Sequence, residues 1–273
     1  MITIVTDSSV YMKKEEAASL GIRVIPLAYS ADGIRYTESF SDENGDFEQL
    51  LKDSKSIVTM HPHASVFLSV FGEELAKGNQ VLFLSISSRL SASYNTAAAV
   101  KKNVMGANVE VFDSQLAAGG LYLLVKETVK LAKEVIDLNT LLSKLSAIRA
   151  RISIKFSVGD LTPLRNSGRM GMVRSGYSTI LNRRPILTCK DGAIVEEGVA
   201  GGTAEMVQSL VRSVPSDVSE IVINYVGENH FASNLYHMIQ AAHEGVSIRL
   251  EKLGPAMAAH VGLKALSVSC IRG

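Results

Sequence analysis

Short apolar runs and longer segments with a helical period alternate along the first half of the chain. The runs are too short for helices and predict buried strands at residues 2–5, 22–27, 80–85 and 109–112. Apolar positions at a helical spacing predict helices at residues 64–76, 93–103 and 121–135. The polar segment 30–46 carries Gly33 and Gly45 and predicts a loop that could contain a hairpin.

The second half contains further strand-like runs and a hairpin signal. Residues 185–196 predict two short strands around Lys190-Asp191-Gly192, because Asp-Gly favours the tight turn of a hairpin. Other strands are predicted at residues 152–158, 220–225, 247–252 and 265–271, and helices at residues 203–214 and 232–243.

This alternation of strands and helices predicts an α/β fold with crossover helices. The pattern changes near residue 150, where a strand is followed by a stretch rich in glycine and arginine. We therefore expect two α/β domains, residues 1–150 with a parallel sheet and residues 151–273 with a mixed sheet, with a ligand cleft between them. The boundary is expected between residues 145 and 160.

Composition narrows the functional class. The chain has 273 residues, 47% of them apolar, and a formal net charge of +1, which argues against nucleic acid or an acidic membrane surface as a partner. Cys189 and Cys270 are far apart and lack metal-like spacing, as expected in a reducing compartment. The start of the chain reaches Asp7 without a basic segment or a long apolar core, and no window predicts an integral membrane segment. We expect a cytoplasmic protein.

Several enzyme signatures are absent from the sequence. It contains no P-loop, no GxGxxG after a strand and no GxSxG nucleophile motif. His61 and His63 flank Pro62, but no third zinc ligand is indicated, so two loop histidines near a helix start are the favoured interpretation. We expect neither a metal nor a cofactor.

The segment LSISSRLSASYN, residues 84–95, holds five serines between a predicted strand and a predicted helix. Serine is a favoured helix cap, which explains part of this pattern. Free N–H groups at a helix start, with hydroxyl donors beside them, also suit an anion. Both interpretations remain open at this point.

Three other segments carry candidate polar groups. Thr59 lies in a predicted polar turn before the helix at 64–76, where it could cap that helix or face the cleft. Arg169 lies between Gly168 and Gly171 in a loop and suits a carboxylate or phosphate, with an ordinary surface arginine as the alternative. His260 lies among small apolar residues, where it is either a core histidine or a donor to a bound acid.

Seven segments, in order along nearly the whole chain, resemble the DegV family of fatty-acid-binding proteins. They are IVTDSS at 4–9, the Thr-to-Pro turn at 59–62, SISSRLSASYN at 85–95, VFDSQLAAGG at 111–120, LRNSGRMG at 164–171, RPIL and KDG within 184–192, and LGPAMAAHVG at 253–262. The resemblance implies two α/β domains that enclose a long-chain fatty acid. It also implies that the protein performs no chemistry alone and presents the acid to a separate fatty acid kinase, which makes the acyl phosphate.

Carried over by position, the resemblance implies four carboxylate contacts: Thr59, Ser91, Arg169 and His260. The sequence departs from the family pattern near these positions. Met60 replaces a small hydroxyl residue, and the other departures are Ala92-Ser93 for Gly-Thr, Asn166-Ser167 for Lys-Gly, and Leu263-Lys264 for Pro-Gly.

A fatty acid makes two opposite demands on its site. Each buried methylene contributes about 0.8 kcal/mol, whereas an ionised carboxylate buried without partners is strongly unfavourable. An apolar tunnel that ends in hydroxyls and a cation meets both demands. Flexible thioethers suit such a tunnel wall, with ordinary core packing as the alternative, and the candidates are Met60, Met170, Met172 and Met257. The competing hypothesis is an enzyme acting on a phosphorylated or carboxylated small metabolite in the same cleft.

Overall fold

The computed structural model describes residues 1–105, 108–134, 137–170, 183–227 and 230–273. These ranges contain thirteen strands and ten α-helices. The strands are β1 (Ile2–Asp7), β2 (Arg23–Ile25), β3 (Leu27–Ala31), β4 (Ile34–Glu38), β5 (Ile57–Met60), β6 (Gln80–Ser85), β7 (Val109–Asp113), β8 (Ile152–Ser157), β9 (Arg184–Lys190), β10 (Ala193–Ala200), β11 (Val218–Tyr225), β12 (Ser247–Lys252) and β13 (Leu266–Arg272). The helices are α1 (Lys14–Leu20), α2 (Phe47–Asp53), α3 (Ala64–Ala76), α4 (Ser93–Val100), α5 (Ala118–Ala132), α6 (Leu138–Ala150), α7 (Thr162–Asn166), α8 (Thr203–Arg212), α9 (His230–Ala242) and α10 (Pro255–Val261).

A parallel sheet of four strands in the order β2-β1-β6-β7 forms the first layer. Its strands are short apolar runs, and Val5, Leu82 and Phe83 are fully buried. The carboxyl ends of parallel strands meet at one edge, so the loops after β1, β6 and β7 lie side by side. With its helices, this sheet confirms the predicted α/β class.

A small antiparallel sheet, in the order β4-β3-β5, contains the hairpin that the segment 30–46 was expected to allow and corrects the expectation for Thr59. Part of the predicted loop at 30–46 is the β3–β4 hairpin, which turns at Asp32 and Gly33, both with positive φ. The predicted polar turn around Thr59 is strand β5. Its backbone groups pair with β3, a partner about 30 residues earlier that local sequence patterns do not reveal.

A mixed sheet of six strands runs in the order β10-β9-β8-β13-β11-β12. Only β11 and β12 pair in parallel; the other neighbours are antiparallel. The predicted Asp-Gly hairpin is confirmed: β9 and β10 are joined through Asp191 and Gly192, whose φ values of 49° and 80° fit the tight turn. Helices α8 and α9 pack on one face of this sheet.

Helix α5 packs against the other face of the mixed sheet and also contacts β1 and β6. Two glycines in its first turn permit this close approach. A Cβ atom at Gly119 would lie 2.6 Å from Asn224 Oδ1, and one at Gly120 would lie 2.4 Å from Ile154 Cδ1. Helix α5, which begins within the AAGG segment at residues 117–120, therefore joins the parallel sheet to the mixed sheet.

None of the helices in the described ranges combines the length and the hydropathy that crossing a membrane requires.

Candidate ligand-binding site

A cleft with a volume of about 150 Å³ lies where segments from both halves of the chain meet, and we call it the polar cleft. The polar side chains in its wall are Ser9, Tyr11, Thr59, His61, Ser91, Arg169 and His260. The apolar ones include Leu27, Met60, Leu90, Ile194, Met257 and Val261. The structure thus brings the four candidate carboxylate contacts to one cavity.

Thr59 and His260 form a direct hydrogen bond across this cleft. Thr59 extends from the end of β5 and His260 from the last turn of α10, and Thr59 Oγ1 lies 2.8 Å from His260 Nε2. Burial, together with the Arg169 guanidinium, lowers the pKa of His260 to about 4. The imidazole is therefore neutral at pH 7 and can donate a hydrogen bond through one nitrogen only.

Arg169 supplies the positive charge of the cleft. Its Nε donates to the Leu90 carbonyl at 3.3 Å and its Nη1 donates to the Ser167 carbonyl at 2.6 Å. Gly168, with φ 68°, allows the chain to turn immediately before it. These two bonds fix the guanidinium, and among the described residues no carboxylate forms an ion pair with it. Its remaining N–H groups can serve an anionic ligand.

The serine-rich segment separates into serines with structural contacts and one that lines the cleft. Ser87 Oγ donates to the Gly192 carbonyl at 2.7 Å, and Ser88 Oγ donates to Asp113 at 2.5 Å. Ser91 lies in the cleft wall, and its Oγ accepts the Ser93 N–H at 3.3 Å, next to the start of α4. Capping and cleft-lining therefore coexist at Ser91.

A second cavity, which we call the apolar pocket, adjoins the polar cleft. Its wall is almost entirely apolar and includes Ala117, Ile154, Phe156, Cys189, Leu253 and Ala265. Both cavities also share part of their walls, through Leu90, Ile194, Met257 and Val261. A cavity with a polar wall and a cavity with an apolar wall therefore lie next to each other.

The four candidate methionines have different positions. Met60 lines the polar cleft, and Met257 lines both cavities. Met170 pairs with Ile194 through an isolated β-bridge and packs against the main core, and it is not part of either cavity's described wall. Met172 lies outside the described residues. Two of the four methionines therefore line a cavity, and most of the apolar wall is formed by aliphatic residues.

Two buried acids beside the cleft were missed by sequence reasoning. Asp7 ends β1 and accepts the Ile86 N–H at 2.8 Å, which ties it to the end of β6, and burial raises its pKa to about 6. Glu38 ends β4 and accepts the Ala256 N–H at 2.7 Å, and burial raises its pKa to about 7. Asp7 belongs to the IVTDSS segment at residues 4–9. Glu38 lies within the predicted loop at 30–46, and no sequence motif points to it.

Glu38 positions helix α10, the helix that carries His260. Its carboxylate bonds to the backbone of the first turn of α10, and Gly254 directly before this helix leaves room for that contact. Glu38 also contacts Tyr11 in the cleft wall, where burial and the nearby carboxylate raise the pKa of the phenol well above its ordinary value. The small antiparallel sheet therefore supports the cleft from two sides.

His61 and His63 do not converge on a shared site. His61 lines the cleft, while His63 caps α3 by accepting the Ser65 N–H at 3.4 Å. Within the ranges that the structure describes, no three His, Cys, Asp or Glu side chains are grouped in a way that could hold a metal ion.

The whole chain is similar to known proteins. The sequence model of the family described as "Uncharacterised protein, DegV family" matches residues 1–273. A DegV domain-containing protein of Streptococcus pneumoniae is 30% identical over 272 residues, which cover 98% of this chain and 97% of that protein.

Solved structures with similar folds include proteins described as fatty-acid-binding. One, described as fatty acid binding of a DegV family protein from Thermus thermophilus, has 26% identity and a TM-score of 0.88, and covers 100% of this chain and 99% of its own. A stearic acid-binding protein from Eubacterium ventriosum also has a TM-score of 0.88, with 24% identity and coverage of 100% and 98%; at this identity the likeness concerns the fold.

Proposed function

The chain belongs to the DegV family, and from this premise we propose that it binds a long-chain fatty acid and presents it to a separate kinase. In this proposal the carboxylate occupies the polar cleft and the acyl chain occupies the apolar pocket. The solved relative at 26% identity, described by its fatty acid binding, supports this choice of ligand.

The observation that supports the proposal is that the two cavities adjoin and share four wall residues. Leu90, Ile194, Met257 and Val261 belong to both walls, so a single ligand with a polar head and an apolar tail can occupy both. Ten buried methylenes would contribute about 8 kcal/mol before the costs of association, which is enough to hold a ligand whose head forms only a few hydrogen bonds.

The head group would meet two hydroxyls, a cation and a neutral imidazole. Arg169 supplies the charge and Ser91 supplies a hydroxyl donor. The Thr59–His260 pair supplies one further donor: either Thr59 donates to Nε2 and leaves the Nδ1–H free, or Nε2–H donates to Thr59 and leaves the hydroxyl proton free. Since His260 is neutral before binding, the cleft has one positive charge for one carboxylate. That balance avoids leaving a buried charge without a partner. No cofactor is required by this arrangement.

Transfer to a kinase would require access to the carboxylate. Ser91, Thr59 and Arg169 are partly exposed, and the neighbouring His61 and Ala92 are exposed at the cleft mouth. The head of a bound acid would therefore lie near the surface while its tail is buried. We propose that a fatty acid kinase phosphorylates the carboxylate at this mouth.

The alternative, an enzyme that uses His260 for proton transfer on a small metabolite, fits less well. An efficient general base at neutral pH has a pKa near the working pH. The pKa of His260 is about 4, and the apolar pocket has no role in binding a small polar substrate.

The proposal is tested by binding of an 18-carbon fatty acid, measured by native mass spectrometry and calorimetry. We expect one acid per chain, and at least tenfold weaker binding for Ser91→Ala and for Arg169→Gln, since each variant removes a bond to a charged group. The matched control is Arg165→Gln, which removes a neighbouring arginine outside the described wall of the cleft.

Two outcomes would contradict the proposal. If the protein binds no acid of 14 to 18 carbons, fatty acid binding is wrong. If Arg165→Gln and Arg169→Gln have equal effects, the head-group assignment is wrong. The kinase step has its own test: with purified fatty acid kinase and ATP, acyl phosphate should form only when this protein carries the acid.

A further inference from the structure

A third cavity, on the opposite face of the mixed sheet from the apolar pocket, has no role in the proposed function. We call it the lateral cavity. Its volume is about 180 Å³, and the polar residues in its wall are Ser157, Arg184, Thr203, His230 and Lys264. The two faces are separated by β8, where Phe156 lines the apolar pocket and Ser157 lines the lateral cavity. Adjacent residues of a strand point to opposite faces, so the two cavities lie on opposite faces of the sheet and share only Leu266 among their described wall residues.

Ser157 presents an unsatisfied hydroxyl at this cavity. The residue is 2% exposed, and within the described part of the chain its Oγ has no hydrogen-bond partner. A buried hydroxyl without a partner is unfavourable by about 1–3 kcal/mol in mutational data, so native proteins rarely retain one without a ligand or water. The position of Ser157 therefore indicates a bound polar group.

Two cations flank the same region. A Cβ atom at Gly159 would lie 3.0 Å from Lys264 Cβ and 3.5 Å from Arg184 Nη1, so both side chains border this glycine. Neither forms an ion pair with a carboxylate of the described residues. Gly159 keeps the space between them open, which suits an anion shared by both.

The start of helix α8 completes the wall. Thr203 is the first residue of this ten-residue helix, and the N–H groups of its first turn have no partner within the helix. Glu205 accepts the Gly201 N–H at 2.6 Å and so satisfies a group outside the helix rather than those in its first turn. The positive end of the helix, with its free N–H groups, favours a negatively charged ligand.

We propose that the lateral cavity binds a phosphate group. Arg184 and Lys264 would neutralise its charge, Ser157 would donate one hydrogen bond, and the first turn of α8 would supply further N–H donors. A tetrahedral group with several acceptor oxygens uses donors that converge from different directions, which a planar carboxylate would satisfy less completely. Lys264 is also one of the positions where the sequence departs from the family pattern, which has glycine there.

The proposal is tested with the full chain and two probes, inorganic phosphate and phosphatidylglycerol vesicles, each at constant ionic strength. The first probe is followed by ³¹P NMR and calorimetry and the second by co-sedimentation. We expect saturable 1:1 binding of phosphate that is about tenfold weaker in Lys264→Gln and in Ser157→Ala. The matched control is Lys144→Gln, an exposed lysine on α6, which should bind like the wild type.

The two probes distinguish the sources of the phosphate group. Binding of inorganic phosphate that depends on Lys264 supports a soluble phosphate ligand, whereas binding to vesicles alone that depends on Lys264 supports a lipid head group. The proposal is overturned if neither probe shows binding that depends on Lys264, or if Lys144→Gln weakens binding as much as Lys264→Gln does. Lys264 is exposed and Ser157→Ala removes only an unpaired hydroxyl, so both variants should fold, which an unchanged melting temperature would verify.

Discussion

Thr59 Oγ1 and His260 Nε2 lie 2.8 Å apart, although the two residues are separated by 201 positions in the chain. The bond joins the third of the four positions of β5 to the last turn of α10 and so links the small antiparallel sheet to a helix of the second half. It also sets the imidazole at the wall of the polar cleft. Both polar atoms of this pair lie in the wall of the cleft that the proposed carboxylate would occupy.

Replacing Thr59 with valine should weaken fatty acid binding and leave the fold intact. Valine keeps the shape of the side chain and removes the hydroxyl, and a hydrogen bond to a charged group contributes about 1.5–3 kcal/mol, or roughly ten- to a hundredfold in affinity. Calorimetry with an 18-carbon acid measures the change. Thr37→Val, at an exposed position of β4, is the control and should bind normally. If both variants bind the acid with equal affinity, Thr59 does not contact the carboxylate.

Acid binding should be coupled to protonation of His260. The pKa of the free imidazole is lowered to about 4 from 6.5, and an incoming carboxylate favours the charged form and raises that pKa. The complex therefore takes up protons at pH values between the bound and the free pKa of His260, and affinity increases as the pH falls through the bound pKa towards 4. Calorimetry in buffers of different ionisation enthalpy measures the uptake.

The His260→Gln variant serves as the control for this pH effect, because Asp7, Glu38 and the ligand itself still titrate in it. The difference between wild type and variant isolates the imidazole. If both take up the same number of protons, His260 does not contact the carboxylate.

As the pH rises, the free energy of unfolding should fall less in the Glu38→Gln variant than in the wild type. The pKa of Glu38 is raised from 4.5 to about 7 by burial, so its contribution is fully present below 4.5 and is lost as the pH rises through 7. Between about pH 5 and about pH 8, the wild type should lose on the order of 1–3 kcal/mol more free energy of unfolding than the variant. Urea unfolding at both pH values measures this. Glu15→Gln, at an exposed position, should follow the wild type.

Gly254→Ala should destabilise the protein and weaken ligand binding together. The added Cβ would lie 2.7 Å from Glu38 Oε2 and 2.7 Å from Asn44 Nδ2, so the buried carboxylate that holds α10 must move. We expect a loss of about 1–3 kcal/mol in the free energy of unfolding, measured by urea denaturation. Gly72→Ala in α3, where no atom lies within 4 Å of the added group, should be neutral or stabilising. Equal effects of the two changes would show that the space at Gly254 is not critical.

Cys189→Phe should shift the preference of the site towards shorter acids. Cys189 lines the apolar pocket, and burial raises the pKa of its thiol to about 12, so it behaves as an apolar wall residue. A phenyl ring there fills space that a long tail needs. Affinity for an 18-carbon acid should fall by at least tenfold more than affinity for a 12-carbon acid, measured by competition for the site. If the affinities for the 18-carbon and the 12-carbon acid fall equally, the acyl chain does not pass Cys189.

Local sequence patterns predicted the elements whose conformation depends mainly on neighbouring residues. The Asp-Gly turn between β9 and β10 requires only residues that tolerate positive φ, and β1 and β6 are apolar runs bounded by polar residues. The same logic failed at β5 and left β4 only as part of a possible hairpin. Both are partly exposed strands, and their backbone groups are satisfied by β3, which local hydrophobicity does not specify.

The sequence by itself determined the α/β class and most of the strands, and its resemblance to a family pointed to four candidate side chains that the structure places in one cleft. Only the tertiary structure decided that Ser91, rather than Ser87 or Ser88, lines the cleft, because those two hydroxyls bond to Gly192 and Asp113. It also decided that Glu38 supports α10. The physical reason is that secondary structure depends on neighbours in sequence, whereas a binding site depends on which distant side chains the packed sheets bring together.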